Sequence, residues 1–264
     1  MATIGGIGQF VSWDGGCLFI GRDVGVVPLH AHYAIQVVFG SEHGVRLRTS
    51  ERDEWSAYGG AIIPSRQPHT MDASGIGVNA VLFVEPETRE GRALAELYLH
   101  GGIAPLPAGT LAQPSSGLFA AFLDGASEAA LTEAARRVVS ALTGGVEPRV
   151  VSDARILRAI AYIKANIAGP LTLEQVAAEA FLSPSRFRHL FVEETGTALR
   201  PYILWRRFLR VWELVTAGES LSAAAHAAGF ADAAHLTRTS RRTFGFPPSA
   251  MQTSSPVRRT PVAT

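Results

Sequence analysis

The chain has 264 residues, 47% of them hydrophobic and 18% charged, with a formal net charge of +1. That composition excludes a disordered chain and leaves room for two domains of ordinary size. No apolar run reaches the ~18 residues a membrane helix needs, and the first residues lack the basic start and apolar core of a signal peptide, so no membrane partner and a cytoplasmic location are expected.

Cys17 is the only cysteine, which rules out an intrachain disulfide and a multi-thiolate zinc site; its ordinary role is a small buried hydrophobe. The small net charge conceals a division. Residues 1–149 carry 10 Arg and 15 acidic residues, net −5, whereas residues 150–264 carry 14 Lys+Arg and 8 acidic residues, net +6. Only the second half is expected to face a polyanion, and its preference for Arg suits phosphate and guanine.

From about 8 to 84 the chain reads as short strands broken by turns. CLFIG, YAIQVVFG, GVRLRT and VNAVLFVE are rich in β-branched and aromatic residues, with Gly or Pro between them, which predicts a small barrel or sandwich. His30 and His32 are two apart on one predicted strand and therefore share a face, and His69 follows from a neighbouring strand. Imidazoles so grouped suit a transition metal or a ligand pocket. Trp13, Trp55, Phe19, Phe39 and Phe83 are candidates for the pocket wall, or equally for ordinary core. The spacing also resembles the cupin barrel: Gly25, His30, His32 and Gly40 fit its first motif, and Gly60, Pro64, His69 and Asn79 fit its second. The cupin glutamate has no counterpart, Gln36 being the nearest residue, so no metal and no cofactor is expected.

From 86 to 143 the pattern turns helical. ETREGRALAELYLH and SSGLFAAFLDG are candidates, and SEAALTEAARRVVSALTGG places Ala130, Leu131, Ala134, Ala135, Val138, Val139 and Leu142 at helical spacing. Residues 1–148 are thus expected to form an effector-sensing and dimerisation domain, with 144–153 as a linker and 254–264 as a tail.

Beyond the linker two helix-turn-helix units follow, at 173–194 and 221–244. In the first, Thr172 caps one helix, Phe181-Leu182 makes a short turn, and Ser183 caps a second helix with Pro184 at its first position. Phe187, Leu190 and Phe191 point inward, leaving Ser185, Arg186, Arg188 and His189 for the outer face. In the second, Ser220 and Asp232 cap, Gly229-Phe230 turns, and Leu236 and Phe244 point inward. Ala233, Ala234, Thr237, Arg238 and Arg241 are left outside. The helix between the units, roughly 199–217, would be ~25–30 Å long, enough to set two recognition helices about one DNA turn (~34 Å) apart.

Residues 156–253 resemble the DNA-binding domain of the AraC/XylS family. The likeness rests on GF(A)D, HLTR and RRTFGFPPSAM, with Arg207-Phe208 at the family's Arg-Leu position. Ala233 and Ala234 stand where that family often places polar base contacts, which shifts the expected base reading to the first unit and to Arg238. Arg206, Arg207, Arg241 and Arg242 are expected on phosphates or in solvent. The resemblance implies double-stranded DNA as partner, RNA polymerase as a possible second, a homodimer, and a cupin-like effector domain. The expected fold is α+β in two domains: an N-terminal cupin-like β-barrel with helices, then an all-α domain with two helix-turn-helix units. A cupin-type metalloenzyme fused to a helical domain is the competing reading. The missing glutamate, set against a complete tandem motif, favours a small-molecule-controlled transcription regulator.

Overall fold

A computed structural model describes residues 8–144 and 151–250 of the chain. The N-terminal part begins with nine strands: β1 (Gly8–Trp13), β2 (Gly16–Gly21), β3 (Gly25–His30), β4 (Ile35–Gly40), β5 (Val45–Arg48), β6 (Ser56–Tyr58), β7 (Gly60–Ile63), β8 (His69–Ala73) and β9 (Asn79–Val84). Helix α1 (Arg89–Tyr98), the short strand β10 (Ala104–Pro105), α2 (Ala108–Leu123) and α3 (Glu128–Thr143) complete it. The strands form two antiparallel sheets, in the orders β1-β2-β9-β4-β7-β10 and β3-β8-β5-β6.

The larger sheet is apolar on both faces, which is why β4 and β9 read as continuous hydrophobic runs rather than alternating ones. Leu18, Ile20, Ile35, Val37, Phe39, Leu82 and Val84 pack with Leu94, Leu118 and the inner face of α3. The alternate residues Cys17, Val38, Val81 and Phe83 turn the other way, toward Val27, Val45, Leu47 and Met71 of the smaller sheet. Helix α3 presents Leu131, Ala134, Ala135, Val138, Val139 and Leu142 as its buried stripe, capped by Ser127, while Ala130 is exposed. Helix α2 starts earlier than the sequence pattern indicates and runs through Pro114. Just after the proline, Ser115 and Ser116 donate to the carbonyls of Leu111 and Ala112 at 2.6 and 2.7 Å. Of the expected linker, residues 145–150 lie outside the described residues, as does the expected tail.

The C-terminal part is helical: α4 (Ala154–Ala165), α5 (Leu173–Glu179), α6 (Pro184–Thr195), α7 (Leu199–Thr216), α8 (Leu221–Ala227) and α9 (Ala233–Phe244). Thr172, Ser183, Ser220 and Asp232 each accept a hydrogen bond from a first-turn amide. Thr172 and Gln175 complete a reciprocal capping box. Helices α6 and α9 both end on a left-handed glycine, Gly196 and Gly245. No helix among the described residues is long and apolar enough to cross a membrane.

The core between the sheets is not closed by the sheets alone. It continues without a break into the helical part, through Trp205, Phe208 and Trp212 of α7 and Phe244 of α9. Trp212 meets Phe19 edge-on at 4.9 Å between ring centres and Phe10 at 5.7 Å, and Trp205 meets Phe83 at 5.6 Å.

Candidate nucleic-acid interface and ligand site

The two helix-turn-helix units are α5–α6 and α8–α9, and both turn through a left-handed residue. Phe181 takes this conformation in the first (φ 54°) and Gly229 in the second (φ 77°). Phe181 is 77% exposed, and the Arg158 guanidinium lies over its ring at 4.8 Å. The second helix of each unit is anchored by apolar residues: Phe187 and Phe191 in α6, Leu236 and Phe244 in α9.

This anchoring leaves Ser185, Arg186, Arg188 and His189 exposed along α6, with Val192 beyond them. On α9, Ala234, Arg238, Arg241 and Arg242 are exposed, and Ala233 and Thr237 are half-buried. Arg242 also borders an open cavity shared with Tyr33, Arg66 and Arg200, on the side facing the sheets.

Arg206 and Arg207 are placed differently. The Arg206 guanidinium lies 2.5 Å from Glu85 Oε1, with side-chain exposures of 17% and 3%. Trp205 Nε1 donates to the same carboxylate oxygen at 3.1 Å. Arg207 donates to the Gly169 carbonyl at 2.9 Å, tying α7 to the loop before α5. Both are occupied inside the molecule because this stretch of α7 faces protein.

Beside Glu85, Tyr33 donates to the carboxylate of Glu87, whose acidity is weakened by burial and by the neighbouring Glu85 charge; its pKa is pushed up to about 8. Sequence reading missed Tyr33, Glu85 and Glu87. The available signal was two carboxylates directly following an apolar strand, in VLFVEPE.

Between the sheets, His30, His32 and His69 come together. A register shift between Val27 and His30 sets His30 opposite His69 across the β3–β8 pair. Ring centres are 4.2 Å apart for His30–His69, 5.3 Å for His32–His69 and 5.6 Å for His30–His32. All three are buried, and burial holds each in the neutral form: His32 falls to about 3, His69 to about 4, and His30 well below its usual value. Each Nδ1 faces a backbone carbonyl: Pro28 at 2.7 Å, Ala34 at 2.9 Å and Gln67 at 3.0 Å. Gln36 Oε1 lies 2.8 Å from His32 Nε2, and its amide nitrogen is 3.7 Å from Met71 Sδ.

A cavity of about 110 Å³ adjoins this group, bordered by Phe19, Val27, His30, Gln36, Phe83 and, from the helical part, Phe244 and Phe246. Asn79 and Gln9 also border it, and both Asn79 amide atoms and Gln9 Oε1 are buried without a hydrogen-bond partner.

The structure thus brings His30, His32, His69 and Gln36 together, with Phe19 and Phe83 close by. The other expected wall residues lie elsewhere. Trp13 and Phe39 belong to the opposite face of the larger sheet, packed with the helix-covered core, because strand parity turns them away. Trp55 packs with Arg46 and Arg48, whose guanidinium carbons are 5.5 and 4.7 Å from its ring centre.

Comparison with known proteins gives three findings. Residues 176–254 match a family model described as a helix-turn-helix domain. Regulatory protein PocR of Salmonella typhimurium is 28% identical over 99 residues, 37% of this chain and 33% of its own; the chain therefore spans about a third of the length of that relative. Among solved structures, ToxT from Vibrio cholerae O395 superposes with a TM-score of 0.59 at 13% identity, covering 95% of this chain and 99% of that one. Unsaturated fatty acid bound wild-type ToxT from Vibrio cholerae strain SCE256 superposes with a TM-score of 0.53 at 13% identity, covering 89% and 94%. The ToxT likeness establishes the two-part layout, a β-rich region followed by a helical one.

Proposed function

We propose that this chain, a member of the AraC/XylS family through its C-terminal domain, is a sequence-specific DNA-binding transcription regulator controlled by a small-molecule effector. The observation that carries the reading is the pair of capped helix-turn-helix units with exposed polar and basic faces: Ser185, Arg186, Arg188 and His189 on α6, and Arg238 and Arg241 on α9. Arginine and serine at exposed positions of a second helix suit base edges and phosphates in a major groove. Two such units in one chain suit two successive groove segments. Arg206 and Arg207 are given a positioning role, holding α7, and are left out of the DNA contacts.

The N-terminal sheets are read as a cupin-like effector domain. Its ligand cavity is taken to be the one closed by Phe244 and Phe246, since an occupant there touches both parts of the chain at once. At about 110 Å³, mainly apolar, with Asn79 and Gln9 holding unpaired polar atoms, it suits a compact apolar molecule with one or two polar groups. ToxT with its unsaturated fatty acid offers a precedent for an apolar ligand in a chain of this layout. Effector binding would act by favouring one placement of α7 and α9 against the sheets. The regulator is read as a cytoplasmic homodimer, with RNA polymerase as a further contact.

The test is DNA capture from fragmented genomic DNA by the full chain at fixed salt. One shared asymmetric motif, about two groove segments long, is the expected result. Salt-sensitive binding without a motif, or no binding, would overturn sequence-specific regulation.

A further inference from the structure

The arginines at the junction of the two parts fall into two groups. Arg92 and Arg206 are committed inside the protein, to the Glu194 carbonyl and to Glu85. Arg66, Arg200 and Arg242 have no side-chain hydrogen bond and no ion pair with any described residue, and all three border one open cavity. The junction's carboxylates are already engaged: Glu85 by Trp205 and Arg206, Glu87 by Tyr33, and Glu194 by the amides of Ser152 and Asp153. A guanidinium keeps its proton throughout the physiological range, so the repulsion among the three is not relieved by titration.

Two of the three stand where their backbone disfavours them. Arg200 is in the first turn of α7, at the positive end of the helix dipole, and α7 has no side-chain cap there. Arg66 holds left-handed backbone, φ 63°, which is unfavourable for a residue with a Cβ. Its turn is pinned to the β3–β4 connection: the Arg66 N–H donates to the His32 carbonyl at 2.7 Å, and Ser65 Oγ donates to the Tyr33 carbonyl. The fold therefore fixes the base of each side chain and leaves its charge unanswered.

The cavity measures about 440 Å³, within the ~300–1,000 Å³ of small-molecule sites. Tyr33, Pro201, Leu204 and Trp205 give it an apolar and aromatic wall beside the arginines. It shares no bordering residue with the apolar cavity closed by Phe244 and Phe246.

We propose that this cavity is a second ligand site, taking the phosphate monoester group of a small organic molecule whose apolar body lies along Leu204 and Trp205. A phosphate monoester carries about −1.5 to −2 charges near pH 7 and three strong acceptor oxygens, which answers three guanidiniums. A carboxylate carries one charge and is matched by a single guanidinium fork. Arg66 belongs to the sheet part, and Arg200 and Arg242 to α7 and α9, so one bound anion ties the two parts together. Neither DNA binding nor an occupant of the apolar cavity is needed for it.

The test is calorimetric titration of the full chain with phenyl phosphate. One saturable site per chain is expected, for which benzoate competes at least about tenfold more weakly. Inorganic phosphate should also bind more weakly, because it leaves Leu204 and Trp205 uncovered. Arg66→Ala, Arg200→Ala and Arg242→Ala should each weaken phenyl phosphate binding about tenfold or more, the size of one lost charge-assisted hydrogen bond. All three residues are exposed, so the variants should fold as the native chain does. Arg52→Ala and Arg136→Ala, exposed elsewhere, should leave binding unchanged. Absence of saturable binding, or equal losses in the Arg52 and Arg136 variants, overturns the site. Benzoate or inorganic phosphate binding as tightly as phenyl phosphate overturns the assigned ligand class. If the three substitutions instead lower DNA affinity and its salt dependence, with phenyl phosphate unbound, the arginines contact the DNA backbone and the proposal falls.

Discussion

Arg188 and Arg206 carry the same guanidinium into opposite environments. Arg188 stands exposed on α6 and is proposed to meet a base edge. If it reads a guanine, Arg188→Ala lowers affinity by ~1–3 kcal/mol and relaxes specificity at one position. Competition binding over a library of operator variants separates that outcome from uniform weakening, which would mark a phosphate contact. Arg206 is turned inward onto Glu85, whose side chain is 3% exposed. Arg206→Ala strands a buried carboxylate and is expected to cost about 3–5 kcal/mol in urea denaturation, with part of the loss recovered when Glu85→Gln is added. Equal cost in the single and double variants would show that the two groups are not coupled. Nothing in the local sequence separates these two arginines, since both follow helical spacing. The difference arises from what packs against each helix.

At the scale of the element, the chain carries its instructions openly. The residues before α5, α6, α8 and α9 are Thr, Ser, Ser and Asp, and each caps as its side chain allows. The turns are less alike than the caps: the first places Phe181 in the conformation that the second gives to Gly229. At Gly229 the requirement is steric as well as conformational. A Cβ there would lie 2.8 Å from the Ile167 carbonyl and 2.9 Å from the Arg207 guanidinium. Gly229→Ala should therefore destabilise by about 1–3 kcal/mol, visible as a lower Tm. An unchanged Tm would mean that the Arg207 contact gives way freely. Helix α2 shows the limit of local reading, since the candidate helix SSGLFAAFLDG is the second part of a helix that starts at Ala108 and runs through Pro114.

For the whole molecule, the buried carboxylate beside the contact between the two parts is one source of pH sensitivity, and the three buried histidines are another. Glu87 is held up to about 8 by burial and by Glu85, above its unfolded value near 4.5. The native state therefore keeps a proton that the unfolded chain releases. Its contribution is complete below the unfolded pKa and is lost as pH rises through the folded one; below about pH 6.5 the three buried histidines, whose protons only the unfolded chain binds, act in the opposite direction, so the fall due to Glu87 is read between about pH 7 and 8. Glu87→Gln should flatten that slope in denaturation series across this range, and an unaltered slope would remove Glu87 as its source. By itself the sequence determined the β-rich and helical halves, the tandem motif, the caps, the outward faces of α6 and α9, and the grouping of His30, His32 and His69. These follow from period, parity and capping chemistry, which act over a few residues. Only the tertiary structure decided that Arg206 meets Glu85, and that α7 and Phe244 complete a core the sheets leave open. Those outcomes depend on which faces meet across more than a hundred residues of chain, and no local pattern records the partner a side chain will find.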